Sequence, residues 1–175
     1  MYKRVRILII TAISAIMMAS CSCGEKYDYS VSDLEISYSV PMIAGPNTNH
    51  LPPTIALDLQ EILDTNNTEG MRINKARLKS ATVFPDDSLG FSNINAFMLS
   101  FASFNESVLM VEAAVKNPIE QGVDSVRLDI SEEADLGEIM QERGLFVVLD
   151  ADGIEDYWDG DRYFKINLEF ELTIK

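Results

Sequence analysis

Phe164, Ile166, Leu168, Phe170, Leu172 and Ile174 fill every second position up to the last residue but one, with Lys165, Asn167, Glu169, Glu171 and Thr173 between them. An alternation this long has one regular solution. Successive side chains of an extended strand point to opposite faces, so the segment buries one face and wets the other. A helix would spread the same residues around its whole circumference. A strand whose inner face is entirely apolar needs a second layer against it.

The rest of the chain supplies partners of the same kind. Leu34-Glu35-Ile36-Ser37-Tyr38-Ser39-Val40 alternates until Pro41, and a turn-rich loop, residues 44–53, follows. Ile55, Leu57 and Leu59 alternate again, and residues 59–63 shift toward a helical spacing before TNNTEG. Residues 73–84 read as a strand with one wet face, which carries Lys75, Arg77 and Lys79, and Pro85 to Ser88 is a turn. In NAFMLSFASF, residues 95–104, Phe97, Leu99 and Phe101 share one face while Ala96, Met98, Ser100 and Ala102 share the other, which suits the centre of a sheet. Further strands are expected over residues 108–115, 126–130 and 145–149. One capped helix is expected between them: Asp135 at its N-cap, Glu138 completing a capping box, Leu136, Ile139 and Met140 on one face, and Gly144 as the stop. Seven to eight strands with one or two short helices, and no repeated strand–helix–strand rhythm, predict an all-β antiparallel β-sandwich, immunoglobulin-like or jelly-roll. A small open barrel is the alternative.

The N-terminus has a different character. Lys3, Arg4 and Arg6 precede the apolar run Ile7 to Ala19, the pattern of a secretory signal peptide and too short to span a bilayer comfortably. Met18-Ala19-Ser20-Cys21 then resembles the lipobox of bacterial lipoproteins, with Met18 where leucine is usual. The resemblance implies cleavage before Cys21 and acylation of that cysteine. Modification at Cys23 and an ordinary cut after Ser22 are the competing readings. A C-x-C pair supplies only two of the four ligands zinc needs, and a ring closed between Cys21 and Cys23 would be strained. The organisation expected is a signal peptide over residues 1–20, a lipidated tether over 21–32 and one sandwich domain over 33–175. Ser22 after the modified residue, by analogy with sorting rules in some Gram-negative bacteria, favours the outer membrane.

Charge narrows the partners. The chain has 28 acids against 14 Lys plus Arg, for a net charge of −14. The first twenty residues hold three bases and no acid, so the remaining 155 residues carry 11 bases against 28 acids, a net of −17. Such a balance repels nucleic acid, whose binding depends on cationic contacts to phosphate. The expected partners are the membrane, through the anchor, and an unidentified protein or glycan. A length of 155 residues suits one domain with a core that needs no disulfide.

Catalytic signatures are sparse. His50 is the only histidine and sits in the Pro-rich loop. The sequence contains no G-x-S-x-G, no glycine-rich phosphate loop and no H-E-x-x-H. No enzyme is expected, although paired carboxylates leave a glycan hydrolase as a remote alternative. The densest polar cluster is DADGIEDYWDGD, where Asp150, Asp152, Glu155, Asp156, Asp159 and Asp161 offer hard oxygens to Ca2+. Ile154 occupies the place of a third EF-hand ligand, so the spacing is not that of an EF-hand. Trp158, the only tryptophan, lies in the same stretch with Tyr157 and with Tyr163 just beyond, as in loops that grip sugars. The plain alternative is a solvated turn between two strands.

The order of strand, Pro-rich loop, INKARLKSATVFPDD, SNINAFMLSF, VDSVRLDIS, capped helix and FKINLEFELTIK resembles small β-sandwich lipoproteins of Bacteroidetes type. Those families carry no established activity, so no functional residue transfers. Asp87-Ser88-Leu89 and Asp124-Ser125-Val126 resemble the short O-glycosylation motif of that group, and Ser88 is the better acceptor because it lies in a turn. The function these readings imply is a non-catalytic cell-envelope lipoprotein that binds a protein or glycan. A structural adhesin or pilus-associated subunit is the alternative.

Overall fold

The computed structural model describes residues 25–38, 54–58, 72–105, 107–141, 144–153 and 161–175. Along them run β1 (Glu25–Tyr38), β2 (Thr54–Asp58), β3 (Ile73–Pro85), β4 (Ile94–Ser103), β5 (Val111–Lys116), β6 (Val126–Arg127), β7 (Asp129–Ile130), a 3-10 turn (Ile139–Gln141), β8 (Gly144–Gly153) and β9 (Arg162–Ile174). They form two sheets, ordered β1-β9-β3-β6 and β2-β8-β4-β5-β7, and every pairing is antiparallel. Strands β6 and β7 are one segment bent between the sheets. At the bend Leu128 turns its side chain into the core and donates its N–H to the Ala81 carbonyl at 2.9 Å.

The strand order decides between the two sandwich types. The first strand pairs with the last, β2 with β8, β3 with β6 and β4 with β5. These nested pairs are one long hairpin rolled up on itself, which is a jelly roll. An immunoglobulin-like order would distribute the strands differently between its sheets.

The alternation in β9 does what its spacing requires. Phe164, Ile166, Leu168, Phe170, Leu172 and Ile174 are all buried, and Tyr163 and Glu169 are exposed. The inner face of β4 meets them. Phe97 packs edge-to-face on Phe164 at 5.4 Å and Phe101 on Phe170 at 5.6 Å. Such pairs add roughly 0.5–1.5 kcal/mol each beyond the area they bury.

Several segments differ from the sequence reading, and the strand expected over residues 108–115 begins only at Val111 and runs to Lys116. Residues 25–32, expected within the tether, belong to β1: Tyr27, Tyr29 and Val31 lie opposite Leu172, Phe170 and Leu168. Tyr29 stacks on Phe170 at 6.4 Å, so the segment is ordered by its partner strand and not by its own polar composition. The expected helix at 135–144 is reduced to the turn at Ile139–Gln141. There the Asp135 carboxylate accepts the Gly137 N–H at 2.9 Å and the Leu136 N–H is given to Ala76 of β3 at 2.9 Å, so the segment docks on the sheet before a helix can propagate. Strand β8, expected to end at residue 149, continues through Asp150 and Asp152 because Met98 and Ala96 of β4 pair with them.

Candidate functional site

Successive strands alternate in direction, so the connections fall at two ends of the roll. One end gathers the β3–β4 and β5–β6 connections with the end of β8 and the start of β9. The opposite end holds the start of β1, the end of β9 and the β4–β5 and β7–β8 connections.

Ser88 lies at the first of these ends, in the turn between β3 and β4. The turn is fixed from beneath. Asp87 Oδ1 accepts the Leu89 N–H at 2.8 Å, and its Oδ2 accepts the Tyr163 N–H at 3.0 Å and the Arg162 Nε–H at 3.4 Å. Arg162 is 2% exposed and donates to the Ser92 carbonyl at 2.8 Å and the Gly90 carbonyl at 2.6 Å. Its guanidinium also lies over the Phe164 ring, 5.4 Å from the centroid. One planar cation thus ties β9 to both ends of the turn, a task suited to a fork of five donors. Gly90 closes the bend with φ of 62°, a conformation that costs a residue with a Cβ more. Within Asp87-Ser88-Leu89 the aspartate faces inward while Ser88 and Leu89 are exposed. Ser125 is also exposed in its turn before β6.

The acidic stretch splits. Asp150 and Asp152 alternate along β8 with the inward-facing Leu149 and Ala151, and so share its outer face. Asp161 immediately precedes β9, and its Oδ2 accepts the Tyr163 hydroxyl at 3.4 Å. Among the described residues no three His, Cys, Asp or Glu side chains converge on a metal-sized site. Glu155, Asp156, Trp158 and Asp159, like Cys21, Cys23 and His50, lie outside the described residues.

The two outer faces of the sandwich differ in chemistry. The β1-β9-β3-β6 sheet carries an ionic lattice: Lys26 to Glu171 at 3.0 Å, Lys79 to Asp28 at 3.0 Å and Lys165 to Asp86 at 3.0 Å, with the Ser80 hydroxyl donating to Glu169 at 2.9 Å. The hydrogen bond to Asp28, and then its charge, hold the Lys79 ammonium above its ordinary range, and Asp86 does the same for Lys165. The outer face of β4 and β8 instead carries Ala96, Met98, Ala102, Phe146 and Val148 around a buried Ser100 hydroxyl, with Asp150 and Asp152 following toward the end of β8.

Three exposed apolar side chains of one connection at the second end were not anticipated from the sequence. Phe104, Leu109 and Met110 of the β4–β5 connection are 48%, 85% and 53% exposed. The available signal was the unbroken apolar run Val108 to Val111 beside a turn, where alternation lapses.

No protein-family model matches the chain, and no curated protein matches it. Among solved structures it is similar to a chain from Desmodium yellow mottle tymovirus, with TM-score 0.32, 11% identity, and 86% of this chain and 87% of that one covered. It is also similar to a nora virus chain (TM-score 0.32, 10% identity, 85% and 60% covered). A third is a chain of mud crab tombus-like virus (TM-score 0.31, 6% identity, 93% and 98% covered). At such TM-scores the fold stands on the strand pairing itself. Among the described residues no helix is long and apolar enough to cross a membrane.

Proposed function

We propose that this chain is a lipid-anchored protein of the cell envelope, held at the outer membrane through acylated Cys21, and that its jelly roll is a non-catalytic binding module for a protein or a glycan. The observation that carries this reading is the position of Met18-Ala19-Ser20-Cys21, at the end of an apolar segment and four residues ahead of β1. Three acyl chains on one cysteine hold far more tightly than the single chain that gives only marginal binding. The end carrying Ser88 and Asp161 then points away from the bilayer, where a soluble or cell-surface ligand has access. Ser88 is the candidate O-glycosylation acceptor there.

A structural subunit assembled by strand addition is less well supported. The exposed edge at β1 is interrupted by a bulge between Val31 and Leu34, with Asp33 at φ of 56° and its N–H given to Asn167 Oδ1 at 2.8 Å. Bulges and charged residues on an edge oppose pairing with another chain. Mass spectrometry of the mature N-terminal peptide tests the anchor: a triacylated peptide beginning at Cys21 is expected, and an intact first twenty residues would refute it. A glycan array with the Trp158→Ala variant beside it tests the sugar reading, which fails if the folded variant binds unchanged.

A further inference from the structure

Three exposed apolar side chains at one end of an otherwise strongly acidic chain call for a cause. Phe104, Leu109 and Met110 belong to the β4–β5 connection, and that connection is held in shape. The Asn105 carbonyl accepts the Val108 N–H at 3.0 Å, Asn105 Oδ1 accepts the Ser107 N–H at 3.0 Å, and Ser103 Oγ accepts the Asn105 N–H at 3.0 Å. Phe104 is further pinned edge-to-face on Phe146 at 4.4 Å. Val108 turns partly into the core, yet Leu109 stays 85% exposed. The loop is therefore fixed with its apolar side chains outward, an arrangement unfavourable in water alone.

The topology says where that loop sits. Strand β4 ends where β9 ends and where β1 begins, since β1 pairs antiparallel with β9 from Glu25 opposite Ile174, and Phe101 of β4 meets Phe170 of β9 across the core. The exposed cluster and the first residue of β1 thus share one end of the roll. Four residue steps join Cys21 to Glu25, and a fully extended chain covers at most about 14 Å in that distance.

We infer that Phe104, Leu109 and Met110 form a second, non-covalent footing that enters the lipid headgroup–acyl boundary, so that the jelly roll stands upright on its N-terminal end. This rests on the acylation of Cys21 proposed above. The short leader brings the cluster to the bilayer surface, and apolar side chains at that depth leave water for hydrocarbon. The net negative charge favours zwitterionic over anionic headgroups. The occupant is lipid and not a second copy of the chain, because the anchor already fixes this end against a membrane.

The test uses the acylated protein with Cys23→Ser, in which acylated Cys21 has no free thiol. Leu109→Cys is labelled with an environment-sensitive nitrobenzoxadiazole dye, and Leu89→Cys, at the opposite end and 45% exposed, is labelled in parallel. Both proteins are reconstituted into phosphatidylcholine vesicles containing phosphatidylcholine nitroxide-labelled on its acyl chain. The dye at 109 should be at least about twofold more quenched than the dye at 89, with blue-shifted emission, as expected for a group at the headgroup–acyl boundary. Equal quenching at the two sites overturns the inference. So does a blue shift at 109 that follows protein concentration and not nitroxide, which would assign the cluster to self-association. Intact mass of the N-terminal peptide is read on the same sample. A missing acyl mass refutes the anchor, whereas a triacylated chain with an unquenched 109 refutes only the footing.

Discussion

Replacing Arg162 by Met isolates the polar work of the clamp beneath Ser88. Methionine keeps most of the stem volume and loses the charge and all five donors. Two bonds to carbonyls, at 2.8 and 2.6 Å, disappear, together with a weaker 3.4 Å contact to Asp87. A bond from a charged donor contributes roughly 1.5–3 kcal/mol, and breaking one partner of a buried pair typically costs about 3–5 kcal/mol. The second range applies, because the side chains are 3% and 13% exposed and solvent can rescue little of what is left unpaired. For a domain of this size each kcal/mol moves the melting midpoint by about 2–4 °C, so Arg162→Met should melt roughly 6–20 °C lower. Arg162→Lys should recover less than half of that, since an ammonium cannot reach both carbonyls and the carboxylate in one geometry. Lys165→Gln, which removes the exposed pair with Asp86, serves as the control and should leave the midpoint almost unmoved. Calorimetry on the three folded variants is the assay. An Arg162→Met midpoint within about 2 °C of the parent would mean that the turn is held by its backbone alone, and the reasoning would be refuted.

Other perturbations have equally definite expectations. Gly137→Ala should lower stability by about 1–3 kcal/mol in urea titration, because a Cβ there would lie 3.0 Å from both the Asn74 carbonyl oxygen and Asp135 Oδ1 and 3.2 Å from Lys75 Cα; an unchanged midpoint would show that the docked segment can give way. Ser100→Ala should be neutral or stabilising by up to about 1 kcal/mol, since the buried hydroxyl has no hydrogen-bond partner among the described residues; a clear loss in the same titration would reveal a partner. The Lys79 and Lys165 ammoniums titrate higher folded than unfolded, so their pairs with Asp28 and Asp86 contribute fully below about pH 10 and fade as pH rises through the raised values. A Lys79→Gln, Lys165→Gln double variant should therefore lose less of its stability between about pH 10 and 12 than the parent does, and parallel melting curves across that window would contradict the pairing.

What the sequence discloses and what it conceals divide on a physical line. Strand β9 was legible in full, because burial on one face writes a period of two into every second residue. The same signal located β3 and β4 and assigned Phe97, Leu99 and Phe101 to the core. Segments whose conformation is imposed by a neighbour were not legible. Tyr27 and Tyr29 gain their place in β1 from β9, and Asp150 and Asp152 are held in β8 by β4. Asp135 and Glu138 have the chemistry of a helix start, but the Leu136 N–H goes to Ala76 on another strand, a competition no local pattern records. The site divides likewise. Ser88 in its turn was readable from Pro85-Asp86-Asp87. The role of Arg162 was not, because its acceptors lie seventy or more positions away in the chain.

Nesting the first strand against the last also sets a schedule for maturation. A ribosome makes β1 before β9, so the seam between these two strands stays open until β9 has emerged. Contacts of such sequence separation form slowly, on the millisecond-to-second scale. During that interval Tyr27 and Tyr29 of β1 lack the neighbours that order them, and a truncation that removes β9 should cost the chain β1 as well.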